Sequence, residues 1–168
     1  NFFVTGKTNK YNLAMSGGGD KSTYYAGLSR VDQGGIVRSN TYDKTSAVFN
    51  FNTQLSSKFS LGVKANYINT GGLRFDAARM MNALAYYVNT WDITTFPWKD
   101  SLGNETWWQK TISSPMWSVH ETGEHYRVNR IIASMNADYK LTKDWSFGVR
   151  YGLDNYAENR RNVDPIGT

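Results

Sequence analysis

Residues 131–153 read IIASMNADYKLTKDWSFGVRYGL, and this stretch decides the fold. Its odd positions are apolar or aromatic: Ile131, Ala133, Met135, Ala137, Tyr139, Trp145, Phe147, Val149, Tyr151 and Leu153. Its even positions are mostly polar or glycine: Ser134, Asn136, Asp138, Lys140, Ser146, Gly148, Arg150 and Gly152. Because successive side chains of a strand point to opposite faces, the pattern predicts a hairpin with one apolar and one polar face. Each strand has about the ten residues of a tilted membrane-spanning strand.

The same hairpin occurs earlier in the chain. Residues 55–64 (LSSKFSLGVK) align with residues 141–150 (LTKDWSFGVR), and apolar residues alternate on both sides of each turn. A third alternating pair flanks a glycine-rich turn at residues 17–21, where we expect residues 17–19 to adopt positive φ. The sequence therefore predicts six strands in three hairpins, with helix confined to about residues 76–89.

Composition excludes several classes of protein. The chain has 168 residues, no cysteine and no apolar run of 18 residues, so neither disulfides nor a transmembrane helix are expected. The net charge of +5 is distributed without a basic run, and we expect no nucleic-acid partner. Aromatic residues make up 15% of the chain, which suits the interface girdles of a membrane barrel or a carbohydrate-binding surface.

The predicted connections differ in length. Those at residues 17–21, 56–58 and 141–144 are short, whereas residues 32–43 and, above all, 70–126 form longer ones. Short turns on one rim and long loops on the other are typical of outer-membrane barrels, in which the long loops are extracellular. The long loop carries six aromatic residues that we predict to bind substrate or a partner, or to form a small core of their own: Trp91, Phe96, Trp98, Trp107, Trp108 and Trp117.

The polar face of the predicted strands is too polar for a dry core. A water-filled lumen accepts such groups, so we predict eight lumen-facing residues: Asn50, Asn52, Lys64, Asn66, Asn136, Asp138, Arg150 and Asp154. If Tyr139 pairs with Trp145, Arg130 stands opposite Asp154, and we expect an ion pair between them.

Catalytic and metal motifs are not expected. Residues 120–125 read HETGEH, but the second histidine comes one residue too late for the zinc motif HExxH. No Ser/His/Asp arrangement stands out, and the sequence predicts no catalytic residue, no metal site and no cofactor.

Several segments together resemble a known family. Residues 12–18 (NLAMSGG), Lys21, residues 24–25 (YY) and residues 32–37 (DQGGIV) resemble the barrel start of the SusC/RagA family of TonB-dependent outer-membrane transporters. Residues 96–104 (FPWKDSLGN) resemble a run in a long outer loop of that family. The family often has an arginine or an aromatic residue near positions 44–46, where this chain has Lys44 and Thr45.

The resemblance implies an all-β fold, namely an antiparallel up-and-down transmembrane β-barrel segment, in the bacterial outer membrane. Residues 1–168 would form part of one barrel domain, with the plug domain and remaining strands outside this chain. The parent protein would import oligosaccharides or peptides and would not be an enzyme. Its partners would be a SusD-like surface lipoprotein, outer-membrane lipid and the TonB complex, the last through parts outside this chain.

Two other classes of protein remain open from the residues alone. One is a soluble all-β carbohydrate-binding module with the tryptophan-rich loop as its platform. The other is a fragment of a β-sandwich glycoside hydrolase, whose apolar strand faces would pack against a second sheet instead of lipid.

Overall fold

The sheet is antiparallel and has six strands, each paired with its neighbour in sequence. The computed structural model describes residues 2–87, 92–107 and 111–165. The strands are β1 (Lys7–Gly19), β2 (Ser22–Gly34), β3 (Thr41–Gln54), β4 (Phe59–Arg74), β5 (Gly123–Lys140) and β6 (Ser146–Val163). The predictions of an all-β antiparallel fold and of six strands in three hairpins are confirmed. The sheet is open, because β1 and β6 form its two edges.

The alternation in the sequence gives the sheet two different faces. One cross-strand row contains Leu13, Leu28, Ala47, Tyr67 and Ile131, all on the same face. On this face the large apolar side chains are exposed, and we call them the apolar band: Leu13, Met15, Tyr24, Leu28, Phe49, Tyr67, Ile131, Met135, Tyr139, Phe147, Val149, Tyr151 and Leu153. No second layer of the described chain covers the band.

The two hairpin turns that are similar in sequence are also similar in structure. The Ser56 hydroxyl accepts a hydrogen bond from the Phe59 backbone N–H at 3.1 Å. The Thr142 hydroxyl does the same for Trp145, also at 3.1 Å. A hydroxyl that holds a backbone N–H three residues later stabilises a tight turn. The aligned Ser and Thr therefore perform the same local role in both hairpins.

The glycine-rich segment is strand and not turn, which corrects one prediction. Gly17, Gly18 and Gly19 all lie in β1, and positive φ occurs among the described glycines only at Gly72 and Gly103. The turn itself is residues 20–21. Gly17 stands opposite Tyr24, whose hydroxyl oxygen would lie 2.6 Å from a Cβ at this position. A side chain at this position would require the tyrosine ring to move.

The long connection runs through residues 75–122, because β4 and β5 extend further than the predicted loop of residues 70–126 allows. It contains α1 (Ala77–Ala85) and α2 (Pro115–His120). The first lies inside the predicted helical region, but α2 contradicts the prediction that helix is confined there. Ser114 and Pro115 supply its start signals, a hydroxyl N-cap and a proline in the first turn.

The buried core lies beside the sheet, in the loops. Val37, from the β2–β3 connection, packs with Met80 of α1 and Val119 of α2. Three partly buried residues pack against this cluster: Phe2, Phe75 and Leu84. The cluster joins the N-terminal segment to both long connections. Among the described residues, no helix combines the length and the apolar character that crossing a membrane requires.

Candidate functional site

The aromatic residues of the long connection form two clusters. In the first, Trp98 meets Trp117 edge-on, with ring centroids 6.3 Å apart, and stacks on His120 at 5.1 Å. In the second, Phe96 meets Trp107 edge-on at 5.2 Å, and Tyr87 stacks on Trp107 at 6.0 Å. Such pairs stabilise a loop beyond the apolar area that they bury.

The predicted binding residues differ in exposure. Trp117 is 0% exposed at the centre of α2, so its side chain has no surface to offer a ligand in this conformation. Phe96, Trp98 and Trp107 are partly exposed. Trp91 and Trp108 lie outside the described residues. For Phe96, Trp98 and Trp107 a binding role stays a prediction, whereas Trp117 belongs to the small core that the sequence allowed as an alternative.

Charged groups lie beside the first aromatic cluster. Lys99 forms an ion pair with Glu121, with 3.0 Å from Nζ to Oε1, and lies 5.9 Å from the Trp98 ring centroid. Burial lowers the pKa of His120, and the nearby Arg38 lowers it further. The histidine that stacks on Trp98 is therefore held towards its neutral form.

A tight turn at Asp100 fixes the segment after Trp98. Its carboxylate accepts hydrogen bonds from the backbone N–H groups of Leu102 and Asn104, both at 2.8 Å. These bonds, with one from the Asn104 side chain, lower the pKa of Asp100. Gly103 adopts φ of 92°, a conformation that favours glycine.

Glu105 connects this turn to α2. Its carboxylate accepts a hydrogen bond from the backbone N–H of Ser114, the residue before the helix. Burial raises the pKa of Glu105, and the hydrogen bond acts in the opposite direction. The side chain therefore links two parts of the connection at some cost in solvation.

The eight predicted lumen-facing residues lie on one face of the sheet, which we call the polar face. Asn50 pairs with Lys64, and Asn136 pairs with Arg150. Asn52 and Asn136 both stand opposite Gly62, and their side-chain oxygens lean over it. The same register places the rest of the set on this face: Asn66, Asp138 and Asp154.

Arg130 and Asp154 form the predicted ion pair on the polar face, at 2.9 Å from Nε to Oδ1 and 2.5 Å from Nη2 to Oδ2. The register behind the prediction is wrong by two residues. Tyr139 pairs with Phe147 and not with Trp145, so Arg130 stands opposite Tyr156 and reaches Asp154 diagonally. The long arginine side chain spans this offset.

A polar belt borders the apolar band at the end nearer the long connections, and it is not among the predicted site residues. The belt lies on the same face as the band and consists of Arg30, Asp32, Asp43, Thr45, Asn69, Arg127 and Asn129. In the sequence, the belt is visible as a change from apolar to polar residues at positions that share one face of a strand. Tyr67 is followed two residues later by Asn69, and Ile131 is preceded by Asn129.

Hydrogen bonds run through the belt across four strands. Arg30 of β2 donates to Asp32 at 2.9 Å and to Thr45 of β3 at 2.8 Å. Arg127 of β5 donates to Asp43 of β3 at 2.8 Å. To reach it, Arg127 crosses β4 over Gly71, where a Cβ would lie 2.7 Å from the guanidinium carbon.

Tyr67 joins the band to the belt. Its ring is in the apolar band, and its hydroxyl donates to Asn129 Oδ1 at 2.9 Å. Asn69 donates to the same oxygen at 2.6 Å and accepts from Arg127 at 3.0 Å. A tyrosine with an apolar ring and a hydrogen-bonded hydroxyl is suited to an apolar–polar boundary.

Aromatic residues mark the opposite end of the band, beside the short turns. Phe59 packs against Tyr139 with ring centroids 6.5 Å apart. Trp145, at the end of the β5–β6 turn, is 72% exposed. The band is thus bounded by aromatic residues at one end and by a hydrogen-bonded polar belt at the other.

Metal-ligating residues do not cluster in the described parts of the chain. No group of three or more His, Asp or Glu residues there is placed to hold an ion. His120 ends α2, whereas His125 lies in β5. Residues 120–125 therefore run from the end of α2 into β5.

Comparison with known proteins adds no assignment: no family model matches the chain, and no curated protein matches it.

Proposed function

We propose that the chain forms six consecutive strands of an outer-membrane barrel of SusC/RagA type, a TonB-dependent nutrient importer. In this proposal the importer moves oligosaccharides or peptides, a SusD-like lipoprotein sits over the long connections, and TonB acts through parts outside this chain. The observation that carries the proposal is the exposed apolar band, bounded by aromatic residues and by the polar belt.

The exposure of the band favours lipid over water as its surroundings. Leu13 and Phe147 are 72% and 67% exposed, and comparable side chains continue across all six strands. Water-soluble monomers rarely expose a contiguous apolar patch of more than a few hundred Å². In a bilayer, the same surface would contact acyl chains.

The height of the band fits a bilayer. On β4 the band side stays apolar from Phe59 to Tyr67, about 26 Å along the strand. A tilt of about 40° reduces this to about 20 Å, close to the apolar height of about 25 Å in outer-membrane barrels. Beyond Tyr67 the strand continues as far as Arg74, alongside the polar belt.

The polar face favours a barrel over a sandwich. Lys64, Asn136 and Arg150 lie within their strands, on the face opposite the band and between residues that point towards the band side. A water-filled lumen solvates such groups without loss of hydration.

The open edges support the presence of further strands. β1 and β6 each pair on one side only within the described chain. In a membrane an unpaired strand edge costs several kcal/mol for each buried N–H or C=O group, so a spanning sheet must close. The proposed barrel closes with strands of the parent protein.

Fractionation tests the proposal. Outer-membrane proteins are extracted in detergent, separated on gels with and without boiling, and searched for peptides of this sequence by mass spectrometry. We expect the peptides in a band far larger than 19.1 kDa that shifts on boiling. Peptides in the soluble fraction, in a small band indifferent to boiling, would refute the proposal and favour a secreted β binding module.

A further inference from the structure

The charges of the polar face are divided unevenly between its strands. Its carboxylates come from β5 and β6: Glu124, Asp138, Asp154 and Glu158. The described strand residues that β1, β2, β3 and β4 contribute to this face include no carboxylate. The charged residues that these four strands do contribute to it are all cations: Lys10, Lys44, Lys64 and Arg74. One part of the polar face is therefore purely cationic.

The carboxylates of β5 and β6 do not neutralise the lysines of β1 and β3. Three of them pair with arginines, each within 3.9 Å: Glu124, Asp154 and Glu158. The fourth, Asp138, lies in the cross-strand row of Ser60, whereas Lys44 lies in the row of Thr70, about 33 Å further along β4. In the part of the chain that the structure describes, Lys10 and Lys44 have no ion-pair partner.

The two lysines lie close together near the end of the sheet that carries the long connections. Lys10 of β1 and Lys44 of β3 stand on either side of Val31 in β2, in the same cross-strand row. Two strand spacings separate their backbones by about 10 Å, so one elongated ligand can contact both side chains. Lys10 is exposed and Lys44 is partly buried.

Polar side chains surround the lysines on the same face. The rows before and after theirs carry amide or hydroxyl groups at each position on β1, β2 and β3: Thr8, Asn12, Ser29, Gln33, Tyr42 and Ser46. The Ser29 and Ser46 hydroxyls form a hydrogen bond with each other at 2.6 Å, and both retain the capacity to accept another. Amides and hydroxyls both donate and accept hydrogen bonds, as the hydroxyl groups of a sugar do. We call these six residues, with Lys10 and Lys44, the lysine patch.

We propose that the lysine patch binds an acidic oligosaccharide, one whose sugar units bear carboxylates. The inference rests on the proposed function, because it requires the polar face to line the lumen, and it narrows the cargo of the importer to anionic sugars. Ammonium groups form charge-assisted hydrogen bonds with carboxylates, and cations that line a water-filled passage attract anions. Lys64 continues the positive charge about 20 Å further towards the short turns.

A sugar suits the lysine patch better than a peptide does. Val31 is the one apolar side chain at the nine described positions of these three rows. The patch therefore offers little apolar surface for the side chains of a peptide, whereas its amides and hydroxyls match the polar groups of a sugar.

A binding measurement on the purified full-length protein in detergent tests this inference. Isothermal titration calorimetry compares the galacturonate hexamer with maltohexaose, a neutral sugar of the same number of units. We expect the galacturonate hexamer to bind at least about tenfold more tightly. The double variant Lys10→Gln with Lys44→Gln should lose about this factor, which is in the upper range for two solvent-exposed ion pairs.

Lys7→Gln is the matched control. Lys7 is also on β1, but it points to the face of the apolar band, as Leu13 does. This variant removes the same charge from the other face, so its affinity for the galacturonate hexamer should match that of the unmodified protein. A loss as large as that of the double variant would overturn the lysine patch, since it would report only general charge.

Three further results are decisive without a variant. Added salt should weaken the binding of the galacturonate hexamer, and binding that is independent of salt would refute a charged contact. Equally tight binding of a hexaglutamate peptide would show that any polyanion is accepted and would refute the preference for a sugar. A boiling-sensitive membrane protein that binds both sugars equally, or neither, would refute only this inference, whereas a soluble protein would refute the proposed function as well.

Discussion

The Arg130 guanidinium holds both carboxylate oxygens of Asp154, although the two residues are two positions out of direct register across β5 and β6. Both side chains are nearly half exposed, so solvent screens the pair. Its geometry is bidentate, which fixes orientation more than it adds free energy.

This pair gives the first prediction. Arg130→Gln and Asp154→Asn each remove the same contact, so the double variant should lose no more thermal stability than the less stable single variant. The temperature at which the unboiled gel band shifts provides the measurement. We expect a decrease of no more than a few degrees, and independent, additive decreases would exclude the contact.

The second prediction concerns Gly71, over which Arg127 crosses β4. A Cβ would lie 2.7 Å from the guanidinium carbon and 2.9 Å from the Tyr126 backbone oxygen, so Gly71→Ala should displace Arg127 from Asp43. We expect a loss of about 1–3 kcal/mol in the free energy of unfolding, as for other overpacked sites. Urea unfolding in detergent measures it.

Gly152→Ala serves as the control for Gly71→Ala. Gly152 is also a strand glycine, but the nearest atom to its Cβ position is 4.0 Å away. This variant should match or slightly exceed the stability of the unmodified protein, because alanine restricts the unfolded chain. Equal losses in the two variants would show that the crossing of Arg127 does not matter.

The third prediction separates the two faces of the sheet at neighbouring positions. Met135 is in the apolar band, and Ser134 is on the polar face of the same strand. In the proposed barrel, Met135→Arg should reduce assembly into the membrane, with a cost of about 2–4 kcal/mol for an arginine at the lipid midplane. Ser134→Arg should assemble normally, and quantitative gels of membrane fractions compare them. If Ser134→Arg assembled less well than Met135→Arg, the polar face would be the one that contacts lipid, and the prediction would be wrong.

The fourth prediction concerns acid. Hydrogen bonds lower the pKa of Asp100 from its usual 3.8, so their stabilising effect is present above pH 3.8 and is lost as the pH falls through the lowered value. Hydrogen exchange of residues 102–104, corrected for intrinsic rates, should lose protection in that range. Asp100→Asn should show weaker protection that is independent of pH there. Unchanged protection in the acid-treated parent would contradict the assignment.

The fifth prediction concerns the loop core. Trp117 is fully buried, and Trp117→Ala should destabilise the long connection by about 3–5 kcal/mol. Limited proteolysis should then cut within residues 75–122 while the strands stay protected. Trp145→Ala, which removes the same side chain from an exposed turn, should leave the cleavage pattern unchanged.

Most of the strands could be predicted because apolar and polar residues alternate along them, which is a local rule. Period-two alternation marks Met135, Val149 and their neighbours without reference to anything distant in the sequence. The register was less certain, since a shift of two residues keeps every side chain on its own face. The alternation allows Tyr139 to pair with either Trp145 or Phe147, and in the structure it pairs with Phe147.

The belt and the loop core could not be predicted in the same way, because they depend on contacts between distant strands. Arg127 of β5 reaches Asp43 of β3 across β4, where glycine at position 71 leaves room for the arginine side chain. The tryptophans could be recognised as an aromatic loop, but only packing against α2 distinguishes buried Trp117 from partly exposed Trp98. The start signals of α2, Ser114 and Pro115, are local and can be read from the sequence.

The long connection also has a consequence for the order of folding. Five strand pairs make up the sheet, and only the pairing of β4 with β5 must wait for a large loop to close. Loop closure costs entropy that grows with length, and non-local contacts slow folding. In the folded chain α1 packs with α2 inside this loop, and Arg74 stacks over Tyr126 at 4.0 Å where the β4–β5 ladder begins. We expect early formation of these contacts to reduce the entropy cost of joining the four-stranded unit β1–β4 to the hairpin β5–β6.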